Sequence, residues 1–152
     1  MSLPIKEIPA TLKNLLTFYK KIFTRPQYKN FRDLVTGLIV SDNKTVQEIA
    51  DCSGRVDQSS LNRFLTESNW DPNQVNDKRI TQIKKLHHID KGTLICDPTF
   101  LHKFGDKMEY ANYHYSGMTK KEEWGYCLVN SFFTDGKIEF PVCADFYIRQ
   151  VA

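Results

Sequence analysis

The spacing of apolar residues changes once along the chain, near residue 90, and this change limits the folds open to it. Before that point apolar side chains recur every three or four residues, as on one face of an α-helix. From Gly92 onward, runs rich in valine, isoleucine, phenylalanine and tyrosine alternate with turn residues, which is typical of β-strands. The sequence therefore predicts an α+β fold, with helices to about residue 90 and then a three-stranded antiparallel meander.

Apolar residues at helical spacing predict three longer helices. The first is expected to stop near Pro26, the second near Ser41, and a later one to cover residues 74–86. The apolar sets of the first two are Leu12, Leu15, Leu16, Tyr19, Ile22 and Phe23, and then Phe31, Leu34, Val35, Leu38 and Ile39.

Two short helices are predicted between these elements. Thr45 and Glu48 have the spacing of a capping box, and Gly54 interrupts the helical pattern. Asp57 or Ser59 can cap the second short helix. Its predicted buried stripe is Leu61, Phe64 and Leu65. Two helices joined by a glycine-containing turn form the pattern of a helix-turn-helix.

The exposed face of the second short helix suggests contact with DNA. Its side chains are short and polar or carry a guanidinium group, and such groups reach base edges and phosphates. A helical hairpin that binds nothing has the same pattern, so both interpretations stay open. The candidate DNA contacts in this part of the chain are Lys44, Gln58, Ser59, Asn62 and Arg63.

Positive charge is concentrated near the N-terminus. Residues 1–32 contain seven lysines and arginines and one acid, whereas residues 91–152 contain seven basic and eight acidic residues. This asymmetry favours an acidic partner such as nucleic acid, although a solvated helix face has the same composition. No apolar run approaches the ~18 residues needed to span a membrane. We therefore expect a cytoplasmic protein without a membrane partner.

An acid follows the most apolar predicted strand. In KGTLICDPTFLHKFGDKMEY, residues 91–110, a buried strand over 93–96 is predicted to end at Asp97 and Pro98. A carboxylate at a strand end is held rigidly near the surface, which suits Mg²⁺ and its oxygen ligands at about 2.0–2.1 Å. The alternative is that Asp97 only starts a turn before Pro98.

This segment resembles the start of the catalytic domain in DDE transposases of bacterial and archaeal insertion sequences. In that family the first strand of an RNase H-like domain ends in Asp followed by Thr, with a Lys and a Gly in the basic loop after it. The matching residues are Asp97, Thr99, Lys103, Gly105 and Lys107. Residues 43–70 are similar to the family's helical N-terminal region, and residues 124–149 to the next two strands of its sheet.

The resemblance implies a DNA-binding region with a helix-turn-helix-like pair over residues 1–90, and the first three strands of an RNase H-like domain over 91–152. Asp97 would be a catalytic residue and a ligand for Mg²⁺ or Mn²⁺. The implied activity is DNA transposition, in which metal-bound water cuts a transposon end and the freed 3′-hydroxyl attacks target DNA. The implied DNA contacts of this domain are His102, Lys103 and Lys107. A prokaryotic, nucleoid-associated location follows from the same resemblance.

The family's second and third metal-binding acids follow its third strand, and this chain ends at Ala152. Asp135, Glu139 and Asp145 lie in a predicted hairpin and do not match those positions. We therefore expect an N-terminal fragment of a transposase that carries one acid of three and is inactive alone. A second hypothesis is a non-catalytic DNA-binding protein or repressor, and a third is a remnant without function.

An incomplete sheet predicts a difference in stability between the two halves. A first strand without one of its neighbours is an open apolar edge, and such edges self-associate. Three strands also cannot bury all their aromatic side chains. We expect residues 91–152 to be the less stable half, and to self-associate or to bind the missing C-terminal part through the edge at residues 94–96.

Overall fold

The computed structural model describes residues 6–105 and 107–148. Within them the chain is divided into two compact units between Gln82 and Ile83; we call residues 6–82 the helical unit and residues 83–148 the sheet unit. The predicted mixture of helices followed by antiparallel strands is confirmed. The elements are α1 (Ala10–Thr17), a 3₁₀ turn (Lys20–Ile22), α2 (Arg25–Val40), α3 (Val46–Ser53), α4 (Gln58–Thr66), α5 (Pro72–His87), β1 (Thr93–His102), β2 (Asn112–Ser116), β3 (Lys121–Thr134) and β4 (Glu139–Phe146).

Side-chain caps fix where the short helices begin. The Thr45 hydroxyl accepts a hydrogen bond from the Glu48 N–H at 3.3 Å, and the Asp57 carboxylate accepts one from the Ser60 N–H at 2.8 Å. The predicted cap at Asp57 is therefore confirmed, whereas only the Thr45 half of the predicted capping box is present. The Glu48 carboxylate, in contrast, accepts the backbone N–H groups of residues 42 and 43, so it closes the loop before α3.

The first predicted helix is interrupted. Phe18 and Tyr19 donate their N–H groups to carbonyls three residues back, which tightens the chain after Thr17 into a 3₁₀ path. The predicted burial of Leu65 is wrong, because it is 41% exposed, and Ile39 of the second apolar set is 62% exposed. Each lies beyond the last buried residue of its helix.

An aromatic cluster forms the main core of the helical unit. The rings of Phe64 and Trp70 stack 5.4 Å apart, and Phe23 and Phe31 lie 4.7 Å apart in the same cluster. A second, smaller cluster joins Leu61 of α4 to Ile49 and Ala50 of α3. Because α4 contributes to both clusters, α3 and α4 are fixed against the rest of the unit.

β3 is the central strand of the sheet unit. One of its edges pairs with β1 along residues 125–134, and the other pairs with β2 over 121–125 and with β4 over 128–134, all antiparallel. The three predicted strands are therefore neighbours as expected, but the predicted number is wrong, because β2 is a fourth strand. β2 is short and mostly polar, so its sequence carries little strand signal.

The sequence predicted that β1 would end at Asp97, but the strand does not end there. The strand continues to His102, and Asp97 lies within it, opposite Asn130. Among the described strands β1 pairs only with β3, so the missing N–H of Pro98 is tolerated at an edge. Leu94 and Ile95 are 57% and 51% exposed, so the expectation of a buried strand is wrong and that of an open edge is confirmed.

Candidate nucleic-acid interface and metal ligand

α4 presents a free polar face. Leu61 and Phe64 turn inward and are almost fully buried, whereas all four predicted DNA contacts of this helix are exposed. None of these four side chains forms a hydrogen bond or ion pair with another described residue. Their donors and acceptors are therefore available to an external partner. The four residues are Gln58, Ser59, Asn62 and Arg63.

The turn before α4 is held by a buried carboxylate that sequence reasoning missed. Asp33 of α2 is fully buried, and the Arg32 guanidinium donates to it at 3.0 Å. Arg55 in the turn reaches the same carboxylate at 4.0 Å and also donates to the Lys6 carbonyl at 3.0 Å. An aspartate inside an apolar helical stripe gives no periodic signal, so only the packing of α2 against the turn reveals this role.

Gly54 lets the chain reverse between α3 and α4. It ends α3 in the left-handed conformation, with φ of 62°, and donates its N–H to the Ala50 carbonyl at 2.9 Å. The Asp57 carboxylate then caps α4, and the hydrogen bond from the Ser60 N–H holds the pKa of Asp57 below its usual range. The cap is therefore ionised at neutral pH, beside the positive end of the α4 dipole.

Lys44 is placed differently from the other candidates. Its ammonium group donates to the Leu38 carbonyl at 2.7 Å and to the Ser41 carbonyl. These contacts put a positive charge at the C-terminal end of α2, where it interacts favourably with the helix dipole. Lys44 therefore closes a helix end and is the weakest candidate for a DNA contact in the helical unit.

Asp97 is an exposed carboxylate on a well-paired strand. It makes no hydrogen bond or ion pair with another described residue, and beside it the Asn130 side chain donates to the Thr99 hydroxyl at 2.9 Å. Neither Asp145 nor Glu139 lies near it. Asp145 is opposite Val129 and so points to the other face, and Glu139 pairs with Thr134, four positions along β3 from Asn130, or roughly 13 Å.

No complete metal site is visible around Asp97. Across residues 6–105 and 107–148, no group of three or more histidine, cysteine, aspartate or glutamate side chains is arranged to hold a metal ion. The hairpin acid Asp135 has another role, because it accepts the N–H groups of Lys137 and Ile138 at 2.8 and 3.0 Å. The described residues therefore provide one candidate ligand and do not fit a complete Mg²⁺ or Mn²⁺ site.

Two other candidates of the sheet unit, His102 and Lys103, lie away from Asp97. His102 is five residues further along β1 and on the opposite face, where its ring lies 4.9 Å from that of Phe104. The Lys103 ammonium lies 5.6 Å from the centre of the Tyr126 ring, a cation–π contact. Lys107 is exposed. His102 and Lys103 therefore do not share a site with Asp97.

Comparison with known proteins gives one relevant similarity. A probable transposase for insertion sequence element IS701 from Microchaete diplosiphon is 31% identical to the chain over 133 residues. The match covers 86% of this chain and 35% of the relative, so the chain spans about a third of that protein's length. No family model and no solved structure match the chain. None of the described helices has the length and apolar character needed to cross a bilayer.

Proposed function

We propose that this chain takes part in DNA transposition, with a helical unit that binds duplex DNA and a sheet unit that carries one acid of a DDE-type site. The observation that supports this most is the similarity to a probable transposase over 86% of the chain, which must include most of both units. Because the similar protein is a probable transposase, we do not favour the alternative of a non-catalytic DNA-binding protein or repressor.

In this proposal α3 and α4 act as a helix-turn-helix and α4 reads DNA. An α-helix fits the major groove, where arginine pairs with guanine and asparagine or glutamine with adenine. Arg63, Asn62 and Gln58 are side chains of these types, they are exposed, and no described residue competes for their hydrogen bonds. The DNA expected to bind is the end of the transposon.

We further propose that the sheet unit is the beginning of an RNase H-like domain and that Asp97 binds Mg²⁺ or Mn²⁺ there. When bound, such a metal activates water toward a phosphodiester. The chain's own contribution is a carboxylate on a strand that is paired along its whole length with β3. Because one carboxylate cannot fix an octahedral ion, the remaining ligands would have to come from outside the described residues.

The DNA-binding part is tested by gel shift with duplexes from both ends of the encoding element and with shuffled duplexes of the same composition. We expect Arg63→Ala to lose affinity for the end duplexes by about 10-fold or more and for the shuffled ones by less, since a bidentate base contact is worth about 1–3 kcal/mol. Lys121→Ala, an exposed lysine of the sheet unit, is the control. No binding of the parent chain at low salt would contradict the proposal.

The catalytic part is tested with supercoiled plasmid and Mg²⁺ or Mn²⁺. We expect no nicking by this polypeptide alone, because the described residues supply one metal ligand. Nicking that Asp97→Ala abolishes would show that other residues of the chain complete the site. Failure of end-specific binding together with such nicking would point to a nuclease without transposon specificity.

A further inference from the structure

A groove in the helical unit collects positive charge away from the polar face of α4. It has a volume of about 550 Å³ and lies between the 3₁₀ turn and the first two turns of α2. Four of its six lining residues are basic and none is acidic. The lining residues are Lys20, Arg25, Pro26, Tyr28, Lys29 and Arg32.

Three of the four cations in this groove have no partner among the described residues. Lys13 is paired with Glu7 at 2.9 Å, and Arg32 is the only groove cation that is paired, with Asp33. Lys20, Arg25 and Lys29 are exposed and form no hydrogen bond or ion pair with any residue that the structure describes. Three uncompensated charges therefore line one groove.

Holding these charges together is unfavourable in the free protein. Like charges repel, and Arg25 stands in the first turn of α2, a turn that contains no acid and where the helix dipole disfavours a cation. No described acid forms an ion pair with Lys20, Arg25 or Lys29 to offset that cost. A bound polyanion would remove it, and half-buried Tyr28 beside Pro26 gives the groove a less polar floor against which a sugar could pack.

We propose that this groove binds the phosphodiester backbone of the same duplex DNA that α4 contacts. The inference rests on the proposed function and adds a second, sequence-independent contact to it. The groove and α4 belong to one packed unit, because the Gln27 amide of α2 donates to the Asn69 carbonyl just after α4 at 3.1 Å. Phe23 next to the groove also contacts Phe64 of α4, with ring centres 6.1 Å apart.

The test is a triple substitution of the unpaired cations, Lys20→Gln, Arg25→Gln and Lys29→Gln, in the full chain. A matched control, Lys84→Gln, Lys91→Gln and Lys121→Gln, removes the same charge from exposed sites of the sheet unit. Affinity for end duplexes and shuffled duplexes is measured from about 0.05 to 0.3 M salt. Circular dichroism verifies that both variants are folded.

Each phosphate contact contributes about 0.9 to the slope of log affinity against log salt. We expect the groove variant to lower that slope by about 2–3 and to weaken binding at 0.1 M salt on the order of a hundredfold. The loss should be equal for end and shuffled duplexes, in contrast to Arg63→Ala. The control variant should change the slope by less than about 1.

Two results would overturn the groove proposal. If the groove variant keeps the parent's affinity and slope while Arg63→Ala still loses end-specific binding, the groove does not contact DNA and the proposed function stands. If the parent binds inorganic polyphosphate through the groove but no duplex, the site is a polyphosphate site and both proposals fail. If the groove variant loses affinity for DNA but keeps the parent's preference for end duplexes, both the groove proposal and the proposed function are supported.

Discussion

The two units bury their apolar side chains to very different extents. Of the eleven buried hydrophobic residues among those described, ten lie in the helical unit and one, Phe140, in the sheet unit. The sheet is nevertheless well paired, and it exposes apolar side chains on both faces, such as Leu94 on one and Ile95 and Phe132 on the other. Regular backbone pairing therefore does not by itself bury a core.

From this difference in burial we expect the helical unit to be the more stable of the two. Burying apolar area contributes about 25 cal/mol per Å², and the exposed side chains of the sheet forgo most of that contribution. A sheet that is apolar on both faces is typical of one covered on both sides. We expect the two units to respond differently to the same kind of substitution.

Phe64→Ala should produce the largest effect, about 3–5 kcal/mol of lost stability, because Phe64 is 1% exposed and lies between Phe23 and Trp70. Phe132→Ala, whose side chain is 45% exposed, should cost about 1 kcal/mol or less. The effect of Phe64→Ala is measured by urea unfolding, followed by Trp70 fluorescence in a Trp124→Phe background. The effect of Phe132→Ala is measured by the circular dichroism signal of the sheet. Equal losses would contradict the comparison between units.

Hydrogen exchange should separate the two units by a hundredfold or more in protection, which corresponds to about 3 kcal/mol of opening free energy. The amides of residues 93–97 in β1 should exchange faster than those of α2 and α4, because β1 is an edge strand with exposed side chains. The measurement is made on the monomer, isolated by size exclusion. Protection throughout residues 93–97 as strong as in α4 would show that the edge is stable without a partner.

Close backbone approaches should make Gly37 of the helical unit and Gly125 of the sheet unit costly to replace, at about 1–3 kcal/mol each. A Cβ at Gly37 would lie 2.5 Å from the Ile49 carbonyl oxygen, so Gly37→Ala should destabilise the packing of α2 on α3 although alanine favours helices. A Cβ at Gly125 would lie 2.2 Å from the Leu101 carbonyl oxygen, so Gly125→Ala should weaken the pairing of β1 with β3.

The matched control for these two is Gly117→Ala, since no described residue other than its two chain neighbours lies within 4 Å of a Cβ built there. Thermal unfolding measures the effect of Gly37→Ala, and hydrogen exchange of the β1 amides measures the effect of Gly125→Ala. If Gly125→Ala leaves β1 exchange unchanged while Gly37→Ala destabilises α2, the sheet tolerates a backbone shift that the helical unit does not. That outcome would strengthen the conclusion that the helical unit is packed more tightly than the sheet unit.

The smallest expected effect is pH dependence at the α4 cap. Because the Ser60 N–H lowers the pKa of Asp57, this cap stabilises the fold above the ordinary aspartate pKa, ~3.9, and the stabilisation is lost as pH falls through the lower folded value. Asp57→Asn should keep a cap and lose this part of the pH dependence. Urea midpoints at pH 7 and pH 3 measure it. If Asp57→Asn has the same pH dependence of stability as the parent, a group other than Asp57 causes that dependence.

Part of the candidate site was predictable because its signals are local. The exposed face of α4 follows from helical spacing, and its cap from Asp57 at the right offset. Which cations are free was not predictable. Lys44 is used at a helix end, whereas Lys29 has no described partner, and nothing in the neighbouring sequence distinguishes them. The path of the chain after α2 brings the Lys44 ammonium to the Leu38 and Ser41 carbonyls, and that path is a property of the folded structure.

The sequence by itself determined the change from helices to strands, the caps of the short helices and the hairpin turn at Asp135 and Gly136, because each depends on residues within a few positions of one another. Tertiary structure decided the length of β1. Asp97 and Pro98 read locally as a strand end, but pairing with β3 continues past them, and the open edge tolerates a proline without an N–H. Strand extension depends on a partner about thirty residues away, so no local pattern could reveal it.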